Sequence, residues 1–518
     1  MNLPHNIRKN LTILILLAVL TFLFTIAAQG MESKDFVITL LRGLSVGSLT
    51  FLVASGFSLI FGLLDVLNLA HGTLFMIGAY IGWTVYVRPD TFVDLLAPVV
   101  LLTSGFLLGD FWKELGARIK LKGFIRKGIP WLGLLLSVLI LMNVLKSYPI
   151  SIWDPGNYAL SPVGISYLAT QGIRGQFPPP DMSAFSPFLA LTGMVLASML
   201  FSFSLTLFRS KKQLISRKVN WLSFLKFILL VLMGILFFIF NDYLTGLLIG
   251  LNTNLLFLVA ILVAIGSGFA LGALMETTVI RPLYVRPIYQ LMVTLGLSAI
   301  GIEMVRAIWG RPEFAMPRPE LFAATGESCP ATSFADWWQY HCSTMLVMDG
   351  RIRVFNEIFI PIVGLIVLIG VWLLLKRSRL GMIIRAGVQD REMVEALGIN
   401  VRRVFTLVFA MGVGLAALGG VLAAPSIGLS NLMGESFLLN ALIALAIGGL
   451  TSYPGAALGS LLVGLLQQFI IKYGQIGIPI PFTDIVFKPS PPIVPASTIL
   501  LMVVILLLLP NGLLGKKE

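Results

Sequence analysis

The most informative polar stretch of the chain extends from Lys376 to Arg403 and reads KRSRLGMIIRAGVQDREMVEALGINVRR. Residues 390–398 within it favour a helix whose charges can face water. The sequence Gly398-Ile-Asn then suits the end of that helix. Its apolar members can face a groove in another protein: Met393, Val394, Ala396 and Leu397. Such a helix could transmit force from a cytoplasmic motor, or it could be an ordinary amphipathic helix at the membrane interface.

A second polar group lies between two apolar runs, in the sequence Leu67-Asn68-Leu69-Ala70-His71-Gly72. Polar side chains at membrane depth are costly, and they tend to be functional. Asn68 and His71 could therefore meet a solute or form hydrogen bonds between helices. They could also cap a helix junction at the inner membrane surface.

Several kinds of catalytic site are excluded by the sequence. The phosphate-binding pattern G-x-x-x-x-G-K-[ST] and the zinc-binding pattern H-E-x-x-H do not occur. His5, His71 and His341 lie far apart, and two cysteines are too few for a four-cysteine zinc site. The sequence therefore predicts no enzyme, no metal and no directly bound cofactor. If ATP drives this protein, another subunit must hydrolyse it.

Composition indicates the environment in which these residues work. Of the 518 residues, 57% are hydrophobic and only 12% are charged, whereas soluble domains carry about 25% charged residues. A helix that crosses a bilayer needs about 20 apolar residues. The sequence thus predicts an all-α polytopic membrane protein with about 14 candidate transmembrane helices: 11–28, 37–61, 72–87, 93–110, 129–147, 185–208, 222–240, 254–279, 287–308, 357–376, 404–424, 437–450, 455–472 and 494–510.

The positions of Lys and Arg indicate the orientation, because these residues gather in cytoplasmic loops. With the N-terminus inside, 24 of the 37 basic residues fall in inner segments and 10 in outer ones. Both termini are therefore predicted to be cytoplasmic. The net charge of +13 then arises mainly from inner segments, which are attracted to anionic membrane lipid, and no nucleic-acid partner is expected.

Some of the predicted spans have a second interpretation. The run 11–28 follows Arg8 and Lys9 and is predicted to be an uncleaved signal anchor, with a cleaved signal peptide as the alternative. The runs 72–87, 437–450 and 455–472 are the weakest. They could be broken or re-entrant helices that line a transport site, or short helices joined by a tight inner turn.

Two long loops are predicted on the outer side, at 148–184 and 309–356. They could cap the outer mouth or meet an extracytoplasmic partner, and they could equally be spacers. The second loop contains Cys329 and Cys342 in a compartment predicted to be oxidising. We therefore expect a disulfide between them, with two free thiols as the alternative.

Four segments carry a recognisable combination of motifs, in the order N-x-A-H-G at 68–72, R-P-L at 281–283, Q-D-R-E with L-G-I at 389–399, and G-G-x-x-S-x-P-G-A-x-L-G at 448–459. In order and spacing they resemble the LivH-type permease subunit of branched-chain amino acid ABC importers, of the LivH/LivM family. The resemblance covers about two thirds of the chain, namely 1–90 and 254–518.

The resemblance implies a multi-pass subunit of the bacterial inner membrane that forms the translocation pathway for branched-chain or related amino acids. It implies three kinds of partner: a LivM-type permease in a heterodimer, two cytoplasmic ATPase subunits that hydrolyse ATP, and an extracytoplasmic solute-binding protein. The loop 377–403 would couple the permease to the ATPases through Asp390, Arg391, Glu392, Glu395, Ala396 and Gly398. An apolar pathway that fits a leucine-like solute would include Asn68, His71, Gly72, Thr294 and Ser298.

The chain departs from the LivH-type pattern in its length, since the spans in 93–240 look extra and the loop 309–356 looks enlarged. We therefore divide it into an N-terminal permease core at 1–92, an inserted transmembrane block at 93–253 and a C-terminal permease core at 254–518. Three other functions stay open. The protein could be a permease for urea or short amides, an ATP-independent secondary carrier with an acidic ion-coupling site at mid-membrane, or a scaffold that transports nothing.

Overall fold

The computed structural model describes residues 31–118, 123–147, 161–173, 187–209, 221–284, 286–479 and 486–515. By contacts, the chain divides into two compact units, one of residues 1–83 with 253–518 and the other of residues 84–252. The interpretation of 93–253 as an insertion stays a prediction. The predicted run 11–28, with its signal-peptide alternative, lies outside the described residues.

The first unit is built from helices. They are α1 (Ser33–Leu64), α2 (His71–Val87), α10 (Thr253–Met275), α11 (Pro287–Trp309), α12 (Phe334–Tyr340), α13 (Ile360–Arg377), α14 (Arg379–Gln389), α15 (Arg391–Ala396), α16 (Val401–Ile427), α17 (Met433–Gly448), α18 (Tyr453–Ile476) and α19 (Ile493–Leu508). Two short antiparallel hairpins add the strands β1 (Thr344–Val347), β2 (Gly350–Arg353), β3 (Ile478–Pro479) and β4 (Val486–Phe487).

The second unit is also helical. It contains α3 (Pro89–Ser104), α4 (Gly109–Arg118), α5 (Gly123–Ser147), α6 (Pro162–Thr170), α7 (Pro187–Arg209), α8 (Trp221–Ile239) and α9 (Asn241–Ile249). Its helices are joined by small polar side chains as well as by apolar packing. Ser137 of α5 donates a hydrogen bond of 2.8 Å to the carbonyl of Ala197 in α7, and Asn241 donates one of 2.8 Å to Asp94 in α3. The described helix α6 lies within the predicted outer loop 148–184.

Within the described residues, nine helices are long and apolar enough to cross a membrane, so the protein is polytopic. Each predicted run from 37–61 onwards coincides with a helix, but α2, α17 and α19 have only 17, 16 and 16 residues. A 16-residue helix is about 24 Å long, less than the roughly 30 Å of hydrocarbon. The helix α18 is continuous over 24 residues, so the structure has no break within the predicted run 455–472.

The shorter length of α17 has a local cause. Gly449 follows it with φ of +107°, a conformation that side chains rarely adopt and that ends the helix. Ser452 then accepts a hydrogen bond from the backbone N–H of Gly455 and caps the start of α18. The Gly and Pro residues of the motif at 448–459 therefore mark a tight turn between a short helix and a helix of full length.

Small residues let the backbones of α1, α16 and α18 touch. A Cβ atom added to Gly464 in α18 would lie 2.4 Å from the backbone nitrogen of Gly47 and 2.5 Å from the carbonyl oxygen of Gly43. Such close packing, rather than a hydrophobic driving force, holds helices together in lipid. The helix α1 consequently contacts both of the other helices along its length.

Helix ends and loops that are predicted on the same side of the membrane meet in the structure. At one end, Lys472 forms an ion pair of 2.8 Å with Asp35, and Phe314 pairs with Leu429 through two backbone hydrogen bonds. At the other end, the turn at Gly449 lies against the backbone of Gly515. These contacts connect segments that are far apart in sequence.

The loop 309–356 contains ordered elements of its own. Cys329 and Cys342 are joined by a disulfide with a Cα–Cα distance of 5.6 Å. The helix α12 begins at a capping box in which Ser333 and Asp336 exchange hydrogen bonds with each other's backbone N–H groups. Beside it, the rings of Phe322 and Trp337 stack at 5.7 Å. The loop therefore has a small core of its own in addition to the disulfide.

Replacing Gly464 by Ala is expected to lower the melting temperature of the purified protein. The added methyl group would clash with the backbone of α1, and overpacking of this kind costs about 1–3 kcal/mol. The matched control is Gly266→Ala in α10, where an added Cβ meets nothing within 4 Å in the described part of the chain. Thermal unfolding in detergent measures both variants, and equal melting temperatures would contradict the packing argument.

Candidate functional site

Asn68 forms the turn that leads into α2. Its side-chain oxygen accepts a hydrogen bond of 3.1 Å from the N–H of Ala70, and its carbonyl accepts one of 3.2 Å from the N–H of His71. An asparagine that bonds to the backbone two residues later is typical of such turns. The side chain is completely buried, and its Nδ2 has no hydrogen-bond partner among the described residues. Asn68 therefore has a structural role in the turn, and its Nδ2 group remains as a hydrogen-bond donor without a partner among the described residues.

Thr294 and Ser298 of α11 lie beside this turn. The hydroxyl of Thr294 accepts a hydrogen bond of 3.3 Å from the N–H of Leu69, and Ser298 is hydrogen-bonded to Thr73 at 2.6 Å between the hydroxyl oxygens. Three of the predicted pathway residues thus lie along one contact between α2 and α11. Thr73 was missed, although it is a polar residue that directly follows the quoted segment 67–72.

His71 and Gly72 face other neighbours. The Nε2 atom of His71 lies 3.1 Å from the carbonyl oxygen of Val53 in α1, and its ring meets Phe57 edge-on. Gly72 faces α17, where an added Cβ would lie 2.2 Å from the carbonyl oxygen of Gly434. Successive residues of a helix point about 100° apart, so the predicted set cannot line a single surface. A pathway role for these residues stays a prediction.

The predicted coupling segment is helical. Asp390 caps α15 by accepting a hydrogen bond of 2.9 Å from the N–H of Met393, and Gly398 follows the helix with φ of +80°. Glu392, Glu395, Ala396 and Gly398 are exposed, as is Asp390. Met393 and Leu397 expose 61% and 73% of their surface, a large fraction for apolar side chains. The segment thus presents acidic and apolar groups together.

Val394 differs from the other apolar side chains of the coupling segment. The sequence grouped it with residues that could face a partner, but it is only 4% exposed. It packs in a cluster with Val401 and Phe405 of α16, and Leu64 and Tyr284 lie against the same cluster. Periodicity alone cannot separate these two surfaces, because α15 has fewer than two turns. Val394 anchors the segment to its own chain.

Glu276 lies at the same end of the molecule and is completely buried. Its carboxylate forms an ion pair with Arg281, at 2.7 Å between Oε2 and Nη2 and 3.1 Å between Oε1 and Nε. Glu276 falls near the end of the predicted run 254–279. The motif R-P-L at 281–283 was recognised, but not the contact it makes.

A cavity of about 310 Å³ opens at the opposite end, beside the loop after α16. It is lined by Arg306, Arg311, Glu313, Ser430, Asn431 and Leu432. Asn431, which lines the cavity, accepts a hydrogen bond from the Tyr80 hydroxyl and donates one to the carbonyl of Arg311. The charged groups make this a polar recess rather than an apolar pocket. In the part of the chain that the structure describes, no group of three or more metal-ligating side chains occurs.

Residues 234–509 match the profile of a protein family described as "Branched-chain amino acid transport system / permease component". BraD of Pseudomonas aeruginosa, a high-affinity branched-chain amino acid transport system permease protein, is 39% identical over 124 residues, which are 24% of this chain and 40% of BraD. LivH of Escherichia coli, described in the same words, is 28% identical over 158 residues, which are 30% of this chain and 46% of LivH.

A third relative has a different solute in its name. The fructose import permease protein FruF of Bifidobacterium longum is 24% identical over 238 residues, covering 43% of this chain and 57% of FruF. The chain thus spans less than half the length of BraD and LivH and somewhat more than half of FruF. No solved structure matches it.

Replacing His71 by Ala should destabilise the protein by about 2–4 kcal/mol, because it leaves a cavity between α1 and α2 and removes the partner of the Val53 carbonyl. Ser298→Ala is the matched comparison. Its side chain is half-buried and bonds to Thr73 alone among the contacts described here, so we expect a loss below about 1.5 kcal/mol. Thermal unfolding in detergent tests this, and a smaller loss for His71→Ala would contradict it.

Proposed function

Because this chain belongs to the branched-chain amino acid transport permease family, we propose that it is the membrane subunit of an ABC importer and carries branched-chain amino acids. The observation that carries the proposal is the family match over 234–509, which includes the exposed helix α15 and the helices around it. The protein itself catalyses no covalent chemistry in this mechanism. Separate ATPase subunits hydrolyse ATP, and their closure moves the permease between outward-facing and inward-facing states.

Docking of the ATPases fits the surface of α15. Its exposed groups include the carboxylates of Asp390, Glu392 and Glu395 and the apolar side chains of Met393 and Leu397. An apolar patch with a charged rim is typical of protein interfaces. The remaining partners are a LivM-type permease, which completes the pathway, and a solute-binding protein that docks on the outer side.

The proposed orientation places both termini in the cytoplasm. Two kinds of observation support it. The basic residues gather in the segments assigned to the inside, and loops assigned to one side contact each other, as the loops with Phe314 and Leu429 do. The coupling segment and Glu276 then lie on the cytoplasmic side, and the loop 309–356 and the polar cavity lie on the outer side.

A secondary carrier driven by an ion gradient is disfavoured by the environment of the buried acids. Within the described residues, the buried carboxylates are those of Asp90, Glu276 and Glu357. They pair with Arg88 at 2.9 Å, Arg281 at 2.7 Å and Arg42 at 3.6 Å, respectively. An acid that already has an arginine partner is poorly suited to bind and release a coupling ion.

The solute stays a proposal, with two alternatives. Sequence similarity to FruF favours a sugar as the second candidate. The urea or short-amide solute rests on the resemblance alone. Along a route past Asn68, Thr294 and Ser298, the solute would meet one side-chain amide and two hydroxyl groups in otherwise apolar surroundings. Such groups could serve an amino acid or a sugar, so chemistry at this contact does not choose between them.

Reconstitution of the chain with its partner subunits and binding protein in liposomes should give ATP-dependent uptake of labelled leucine. Excess valine or isoleucine should compete, while fructose, urea and polar amino acids should not. Ser298→Ala should reduce this uptake if the α2–α11 contact lines the route. If fructose is the only compound that competes, the solute is a sugar and not an amino acid. Uptake that persists without ATP and follows an ion gradient would overturn the importer.

Replacing Glu395 by Lys should abolish both uptake and association with the ATPase subunits, because it reverses a charge on the exposed face of α15. Membrane insertion should be unaffected. Co-purification of the ATPases measures the association directly. The matched control is Glu327→Lys, an equal charge change on an exposed residue of the loop 309–356. Retained association in Glu395→Lys would make α15 an ordinary interfacial helix.

A further inference from the structure

We propose that Glu276, together with Arg281, Tyr284 and Thr406, is the joint that passes movement of the coupling helix α15 to the spanning helices α10 and α16. The proposal rests on the proposed function, since it names the residues through which ATPase closure acts on the permease. None of the four residues belongs to the predicted coupling segment itself, and they are positioning residues rather than contacts of the solute or the ATPase.

The Glu276 carboxylate is fully engaged. Besides the two bonds from Arg281, its Oε1 accepts a hydrogen bond of 3.0 Å from the Tyr284 hydroxyl, and its Oε2 lies 2.7 Å from the Thr406 hydroxyl. Arg281 also donates to the Thr406 oxygen at 2.6 Å. The single hydroxyl hydrogen of Thr406 can go to Glu276 or to the carbonyl of Arg402, which lies 2.9 Å away. Charge-assisted hydrogen bonds of this length are about twice as strong as neutral ones.

The local backbone brings the ion pair together. After Met275, α10 continues as a π-helix over Glu276–Ile280, and the N–H of Arg281 donates to the carbonyl of Glu276. In such a turn, residues five apart are aligned. In a regular α-helix they would point about 140° apart, and Arg281 would face away from Glu276. The irregular turn is therefore the feature that lets one span supply both charges.

Thr406 connects this pair to α16. Thr406 and Glu276 are separated by 130 positions in sequence, so the bond between the Thr406 hydroxyl and the Glu276 carboxylate joins two different spans. The same two helices also pack directly, since a Cβ added to Gly272 would lie 3.0 Å from the Cα of Ala410. A stiff polar contact at the cytoplasmic end and close packing above it make α10 and α16 move together.

The coupling helix reaches this cluster through one apolar layer. Val394 of α15 packs with Phe405, the residue beside Thr406, and the rings of Phe405 and Tyr284 meet edge-on at 6.3 Å. A shift of α15 therefore presses on Phe405, which adjoins the hydrogen-bonded cluster, and on Tyr284, which belongs to it. Since buried apolar contacts are close-packed, they transmit such a shift rather than absorb it.

The test measures the number of ATP molecules hydrolysed per solute molecule taken up, in liposomes that contain the complete importer and binding protein. Glu276→Gln keeps the shape of the side chain and removes its charge. We expect it to lower uptake by about tenfold while ATPase association and binding-protein-stimulated hydrolysis stay within about twofold, so the ratio rises. Thr406→Val should raise the ratio by a smaller factor, and Thr406→Ser, which keeps the hydroxyl, should restore it.

The matched control is Glu303→Gln, which removes the same charge from an exposed ion pair with Arg306 and should leave the ratio unchanged. Tyr284→Phe removes the hydrogen bond from the Tyr284 hydroxyl to Glu276, and it serves as the second variant if Glu276→Gln does not assemble. An unchanged ratio in Glu276→Gln, or in Tyr284→Phe and Thr406→Val, would overturn the joint while the importer stands. Equal loss of hydrolysis and uptake would also overturn it. A wild-type importer without ATP-dependent uptake would instead refute the proposed function.

Discussion

Close contact between helix backbones is the constraint on which the first unit depends. The helix α1 lies directly against α16 and α18, and glycines such as Gly464 occupy positions where a methyl group would strike the neighbouring backbone. Apolar side chains gain little free energy when they move from lipid into the protein interior, so this backbone packing supplies much of the attraction between the helices. It also fixes the ends of the helices, and the loops and the coupling segment take their positions from those ends.

The arrangement of spans was largely predictable, because apolar runs reflect a local property of the sequence. Each described run coincides with a helix, and the turn between α17 and α18 falls where Gly and Pro interrupt the pattern. The number of full-length spans was less predictable. It depends on where a helix ends, and the left-handed conformation of Gly449 shortens α17. The π-helix at Glu276–Ile280 has no sequence signal of its own and depends on the residues it brings into contact.

The candidate site was predictable only in part, because its contacts are tertiary. Asn68, Thr294 and Ser298 lie along one contact between α2 and α11, whereas His71 faces α1 and Gly72 faces α17. The helical form of the coupling segment followed from its helix-favouring residues and Gly398. The inward position of Val394 did not, since it depends on Phe405 and Tyr284. Likewise, the partners of Glu276 could not be inferred from spacing when one of them is 130 residues away.

The pairing of buried charges also bears on the membrane potential. The energy of one elementary charge changes by about 2.3 kcal/mol when the charge crosses a membrane potential of 100 mV. Asp90, Glu276 and Glu357 each have an arginine partner, and a neutral pair that moves as a unit carries no net charge through the electric field. Movement of these three pairs would therefore be almost indifferent to voltage. In an importer driven by ATP, as proposed above, a cell that loses its membrane potential but keeps its ATP would still be able to move these pairs.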